Sequence, residues 1–150
     1  MEKEVIIYIN GLQFAETEEG SEPIEVITTG EYYFKNGSHY LLYEDTVEQG
    51  EEKSKNIIKF RSDCLEVIKN GPYSTKMVFE KEKKTLSQYM TPFGMLNIGI
   101  STTYVSLKEE KDKIEMIAKY AMDINNNFVA DCSVSVQARS KNAELKLLNS

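Results

Sequence analysis

Apolar and polar residues alternate along the stretch from Met95 to Leu107. Leu96, Ile98, Ile100, Thr102 and Tyr104 fall on one face, and Met95, Asn97, Gly99, Ser101 and Thr103 on the other. A period of two with one apolar face predicts a half-buried antiparallel strand, whereas a helix needs apolar residues three and four apart. The strand follows a predicted partner, Thr85–Thr91, across Thr91-Pro92-Phe93-Gly94. Pro92 presets φ for the second position of a tight turn, and the residue before proline is pushed toward extended backbone. Gly99 marks a bend or bulge on the outer face.

The rest of the chain repeats this unit. Val5–Phe14 opens with strong β formers, and Asn10-Gly11 within it suits a hairpin turn or a bulge. Glu16–Glu22 is polar and reads as a loop, and a strand starts at Pro23, with Ile24, Val26 and Thr28 alternating. Asn36-Gly37 is the clearest hairpin signal. Tyr40–Val47 reads as a strand and Glu48–Lys55 as a charged loop. Asn56–Arg61 and Cys64–Lys69 read as short strands joined at Ser62-Asp63, and Asn70-Gly71-Pro72 breaks the chain before Tyr73–Glu80. Ile114, Met116, Ala118, Tyr120 and Met122 share one face of a later strand. Asn125-Asn126-Asn127 turns the chain, and Phe128, Ala130, Cys132, Val134, Val136 and Ala138 share a face of the last one. Ala143–Leu148 fits a helical turn or a frayed end. About ten strands at regular spacing predict an all-β domain spanning 1–150, with its core over about 4–139. Closing the sheet removes exposed edges, so a closed up-and-down antiparallel β-barrel of about 8–10 strands is the first architecture and a two-sheet β-sandwich the second.

The 150 residues carry a formal net charge of −6, which argues against general nucleic-acid binding because that affinity rests on cations meeting phosphate. Cys64 and Cys132 are the only cysteines and read as buried free thiols. The apolar run at the N-terminus is too short for a signal peptide, and no segment reaches the ~20 apolar residues of a membrane-spanning helix, so a cytoplasmic location is expected.

Thr29-Gly30-Glu31-Tyr32, Tyr43-Glu44-Asp45, Lys69-Asn70-Gly71, Met77-Val78-Phe79 and Tyr89-Met90-Thr91-Pro92-Phe93-Gly94 followed by Thr102 stand in an order and spacing that resembles the YwiB-like family of small bacterial proteins of unknown function. The resemblance runs from about Val5 to Val136. It implies a calycin-like barrel, the architecture of lipocalins, and brings no catalytic residues with it. The chain departs from the family pattern at Thr29, where an acid is expected, and at Lys69, where arginine is expected.

The single histidine, His39, sits beside a hairpin turn and reads as solvated, since triad and zinc geometries need further partners. No metal and no cofactor is expected. On one parity of the strand after it, Tyr40, Leu42, Glu44 and Thr46 point inward, with Lys59 and Arg61 as partners for Glu44. On the other, His39, Leu41, Tyr43 and Asp45 do. The first parity is preferred. Ligand-facing candidates are then Tyr40, Glu44, Thr102, Tyr104, Met116, Tyr120, Cys132 and Val134. Glu44, Thr102, Tyr104 and Tyr120 would orient a ligand by hydrogen bonds, Met116 and Val134 would supply apolar contact, and small inward residues such as Ala118 and Cys132 leave room. The leading expectation is a non-catalytic barrel binding a small, largely apolar ligand inside. A filled barrel acting as an interaction module, with a homodimer built on outward Ile27, Ile58, Val78 and Ile117, is the alternative. An enzyme using carboxylate and tyrosine chemistry comes third.

Overall fold

The computed structural model describes residues 1–17, 20–44, 55–70, 74–91 and 94–148. The expected Pro92-Phe93 turn, the Gly71-Pro72 break, Asp45 and Thr46 lie outside the described residues. Among the described residues ten strands follow one another: β1 (Glu4–Thr17), β2 (Gly20–Lys35), β3 (Ser38–Glu44), β4 (Lys55–Arg61), β5 (Cys64–Asn70), β6 (Thr75–Glu80), β7 (Lys84–Thr91), β8 (Gly94–Glu109), β9 (Lys113–Ile124) and β10 (Asn127–Ser140). A short helix, α1 (Lys141–Leu148), ends the chain. No helix among the described residues is long and apolar enough to cross a membrane.

All ladders are antiparallel, and the sheet order is β6-β5-β4-β3-β2-β1-β10-β9-β8-β7. β1 therefore lies between β2 and β10, with Val5 opposite both Gly30 and Ser140. This pairing rolls the meander into a nearly closed barrel. The inward face is the apolar one on nearly every strand. Val5, Ile7 and Ile9 of β1 pack with Leu41, Ile58, Leu65, Phe79, Ile100, Met116, Val134 and Val136, all of them buried. Burying a side chain of this size contributes roughly 1.5–3 kcal/mol.

The turns follow the local chemistry. Asn36 and Gly37 take positive φ of 52° and 78°, and Asn125 and Asn126 take 51° and 68°, as two-residue hairpins between right-twisted strands require. Asn10-Gly11 is a bulge, not a hairpin: the β1–β2 register shifts between Asn10 and Gln13. Gly11 has φ 86°, and a Cβ there would run into the Ser133 carbonyl oxygen of β10. The expected loop at Glu16–Glu22 is shorter than read, because β1 runs on to Thr17 and β2 starts at Gly20, with Glu22 opposite Ala15. Gly99 makes no bulge; it sits in regular register opposite Asp123, whose carboxylate occupies the space a Cβ would need. The irregularity of β8 lies further on, between Thr102 and Tyr104. At the other end of the chain, Glu144 of α1 takes the Tyr8 hydroxyl and the Arg139 guanidinium, which ties the helix to β1 and β10.

β6 and β7 are consecutive, joined by the turn at Lys81–Lys83, yet among the described residues no main-chain ladder links them. Side chains close the seam instead. The Thr85 hydroxyl donates to the Val78 carbonyl, and the Ser87 hydroxyl donates to the Lys76 carbonyl at 2.7 Å. The turn itself is held from both sides. Lys81 N–H donates to Asp63 O at 3.0 Å, Glu82 N–H donates to Thr102 O at 2.9 Å, and Thr102 N–H donates to Lys83 O at 3.2 Å. Removing a hydroxyl leaves a half-buried carbonyl without its partner, at about 1 kcal/mol each. Thr85→Val and Ser87→Ala are therefore each expected to lower the urea midpoint without changing the slope, and together to speed amide exchange over β6. An unchanged midpoint in the double variant would show that packing alone closes the barrel.

Candidate binding site

The eight sequence-predicted residues do not converge. Met116, Tyr120, Val134 and Thr102 point inward and are buried. Tyr120 packs edge-on against Phe79 at 4.8 Å, and burial, with Cys132 beside it, pushes its phenol well above the usual range. These four fill the middle of the barrel. Cys132 also points inward but is half-buried and a free thiol, raised in pKa by burial, as is the buried Cys64.

Tyr40, Glu44 and Tyr104 point outward. On β3 the second parity holds: His39, Leu41 and Tyr43 face inward, because Leu41 pairs with Ile58 and His39 with Phe60, both buried. Tyr40 is left on the outer face with the Lys59 ammonium 5.7 Å from its ring, and Glu44 is exposed at the strand end. Ile58 is fully buried rather than outward. On β8 the bulge at Thr103 reverses the alternation. Thr102 stays inside, Tyr104 turns out at 46% exposure with Lys119 against its ring, and Val105 opposite Ala118 resumes the inner face.

His39 is not solvated. Its ring lies near-parallel to Phe60 and Tyr32, with Phe34 tilted against it at 4.8 Å. The Tyr32 hydroxyl donates to Nδ1 at 2.7 Å, and Nε2 lies 2.6 Å from a Glu109 carboxylate oxygen. Neutral His39 is thus the Nε2–H tautomer, donating to Glu109 and accepting from Tyr32. Glu109 reaches this place because of the Thr103 bulge, since Val105, Leu107 and Glu109 follow the reversed parity. Met1, Lys3, Tyr33 and Phe34 join these residues around a shallow concavity of about 620 Å³ at this end of the barrel.

The chain Glu109–His39–Tyr32 resembles a catalytic relay in its connectivity but not in its electrostatics. Burial lowers the His39 pKa more than Glu109 raises it, and burial together with Glu109 raises that of Tyr32. A phenol held above its normal range is no nucleophile, and the imidazole lone pair is already occupied. Among the described residues no three His, Cys, Asp or Glu side chains come together to hold a metal ion.

The other end of the barrel is built differently. Tyr43, Asn56, Lys69 and Thr75 are successive cross-strand partners on β3, β4, β5 and β6, so they form one inward row, and Ser87 of β7 follows across the seam. Leu12, Val26, Ile98, Met122 and Cys132 line the rest of the wall from β1, β2, β8, β9 and β10. Apart from Asn56 and Ser87, which are buried, these inward residues are half-buried, whereas the side chains in the middle of the barrel are closed off. The polar row follows from the second parity of β3. Asn56 and Lys69 were hidden in short alternating strands whose polar inner residues look like solvated ones.

Because the folded state holds His39 below its usual 6.5, the unfolded chain binds that proton more readily. The stability from neutral His39 is complete above the unfolded value and is lost as pH falls through the folded one. The stability gap between the native protein and His39→Phe, which keeps the ring stack but does not titrate, is expected to shrink between about pH 7.5 and about pH 5 in urea titrations. A gap independent of pH would show that the histidine only packs.

The chain matches, over residues 7–136, a family described as a domain of unknown function, DUF1934. It is 30% identical over 118 residues to the uncharacterized β-barrel protein YwiB of Bacillus subtilis (strain 168), covering 77% of this chain and 82% of that protein. The crystal structure of the ywiB protein from Bacillus subtilis superposes with a TM-score of 0.70 at 22% identity, covering 92% of each chain. That likeness shows the shared fold, and the family match shows the kinship: the chain belongs to the DUF1934 family of YwiB-like β-barrel proteins.

Proposed function

We propose that the protein is a non-catalytic binding module that takes a small, largely apolar ligand into the barrel at the end walled by Leu12, Val26, Ile98, Met122 and Cys132. The observation that carries this reading is the half-burial of these inward side chains. In a filled barrel an inward apolar side chain is closed off, as Ile7, Met116 and Val134 are. Apolar side chains that face inward yet keep solvent contact mark unfilled space, and burying them under a ligand releases that surface from water. The His39 end supports the reading by exclusion, because its histidine and tyrosine are committed to each other.

The neutral fluorophore N-phenyl-1-naphthylamine tests it. The native protein is expected to raise and blue-shift its emission with saturation. Cys132→Trp and Met122→Trp, which fill the space from two different strands, are expected to abolish the signal while circular dichroism and the urea midpoint stay near native. Equal binding by both filled variants, or no binding by the folded native protein, would overturn the proposal.

A further inference from the structure

We infer that the concavity at the His39 end is a second binding site, which takes a small organic cation: one ammonium on a short aromatic or apolar body. The site is separate from the interior one proposed above and does not rest on it. Phe34 supplies its open face. Phe34 stands opposite His39 and shares the inward side of β2 with Tyr32, which stands opposite the buried Leu41. The rings beneath it are closed off, since His39 and Phe60 are both buried. Phe34 itself is 61% exposed, held on one side by the His39 ring at 4.8 Å. The concavity of about 620 Å³ lies over this ring. A fixed aromatic face open to such a recess is a platform on which a flat or cationic group can settle.

Glu109 supplies the charge. The bond from His39 Nε2 to its Oε1, at 2.6 Å, holds the carboxylate at the mouth of the recess. A neutral imidazole occupies one lone pair of that carboxylate and leaves its charge in place. The Glu109 side chain is 58% exposed, so the remaining lone pairs face solvent. Lys3, the lysine on the rim, is engaged elsewhere. Its ammonium lies 5.4 Å from the centre of the Tyr33 ring, and the Tyr33 hydroxyl donates to Glu31 at 2.6 Å. Glu31 balances Lys3, and the charge of Glu109 is left to a ligand. The Lys3–Tyr33 contact also shows that this aromatic wall accepts an ammonium. A positioned carboxylate beside an open ring recognises a cation twice, by a charge-assisted hydrogen bond and by the ring quadrupole. An anion would be repelled there, and a neutral molecule would gain only the ring.

His39 is the single histidine of the chain, so its ring-proton resonances report on this site alone. Titration with phenethylamine, phenethyl alcohol and hydrocinnamate is read from them at about pH 7.5, where the amine is protonated and the acid ionised. The amine is expected to shift the resonances saturably and to bind about three- to thirtyfold more tightly than the alcohol. That is the range an exposed ion pair and a cation–π contact supply together. Hydrocinnamate is expected to bind more weakly than either. Glu109→Gln keeps an acceptor for the His39 N–H and is expected to fold as the native protein does, while amine and alcohol become equal. Phe34→Ala removes an exposed ring and is expected to weaken both. Equal affinities for amine and alcohol in the native protein would overturn the inference. So would a preference that survives Glu109→Gln, an affinity untouched by Phe34→Ala, or amine binding that leaves the His39 resonances in place. None of these outcomes bears on binding of N-phenyl-1-naphthylamine in the interior, so the two readings fail separately.

Discussion

The pairing of β1 with β10 is the constraint on which everything else rests. Val5, Ile7 and Ile9 face inward from a strand bonded on both sides, to Thr28 and its neighbours on β2 and to Ala138 and its neighbours on β10. Without this contact the ladder would fall into two open pieces, β1–β6 and β7–β10, each with an apolar face in water. With it, inward side chains from β1 and from strands halfway around the sheet meet in one core. The two ends of the barrel differ because that core stops short of one of them. Around His39, aromatic rings and a hydrogen-bonded Glu109–His39–Tyr32 chain plug the interior. Around Asn56 the wall is polar on one arc and apolar on the other, and the core gives way to half-buried side chains.

Two irregularities decide which residues meet. The bulge at Thr103 turns Tyr104 out and Glu109 in, so it creates the histidine's carboxylate partner at the same step as it removes a tyrosine from the interior. The bulge after Asn10 brings Leu12 to the core and sets Gly11 against the Ser133 carbonyl, where only a residue without a side chain fits. Each inserts one or more residues into a strand and shifts the register of everything downstream.

The barrel itself was legible in the sequence because alternation over long strands such as Lys113–Ile124 is hard to mistake, and because Asn36-Gly37 and the Asn125-Asn126 pair turn the chain as their backbone preferences dictate. The site was less legible for a physical reason. In Tyr40–Glu44 each face carries one tyrosine and one leucine, Tyr40 with Leu42 and Tyr43 with Leu41, so either parity offers an apolar face, and only the buried partners Ile58 and Phe60 settle it. Tyr104 continued a clean alternation, and no local feature announces that Thr103 breaks it. Asn56 carries no signal of its own in a short strand, and Lys69 stands out only as a departure from the family pattern, because polarity in a short strand ordinarily means solvent. Thr102, Met116, Tyr120 and Val134 were placed on the correct face, where they fill the middle of the barrel instead of lining a site.

The closure of β1 on β10 also has a cost in time. During synthesis β2 can cover one edge of β1 at once, but the other edge waits for Asn127–Ser140, which follow only after β2–β9. Contacts between distant parts of a chain form slowly, and an unpaired edge is a template for pairing with other chains. The waiting segment is Val5-Ile6-Ile7-Tyr8-Ile9, the most β-prone and least charged run near the start. The charged residues Glu2, Lys3 and Glu4 directly before it stand where gatekeeping charges oppose association of nascent chains. The fold thus leaves one edge of β1 unpaired until β10 has been made.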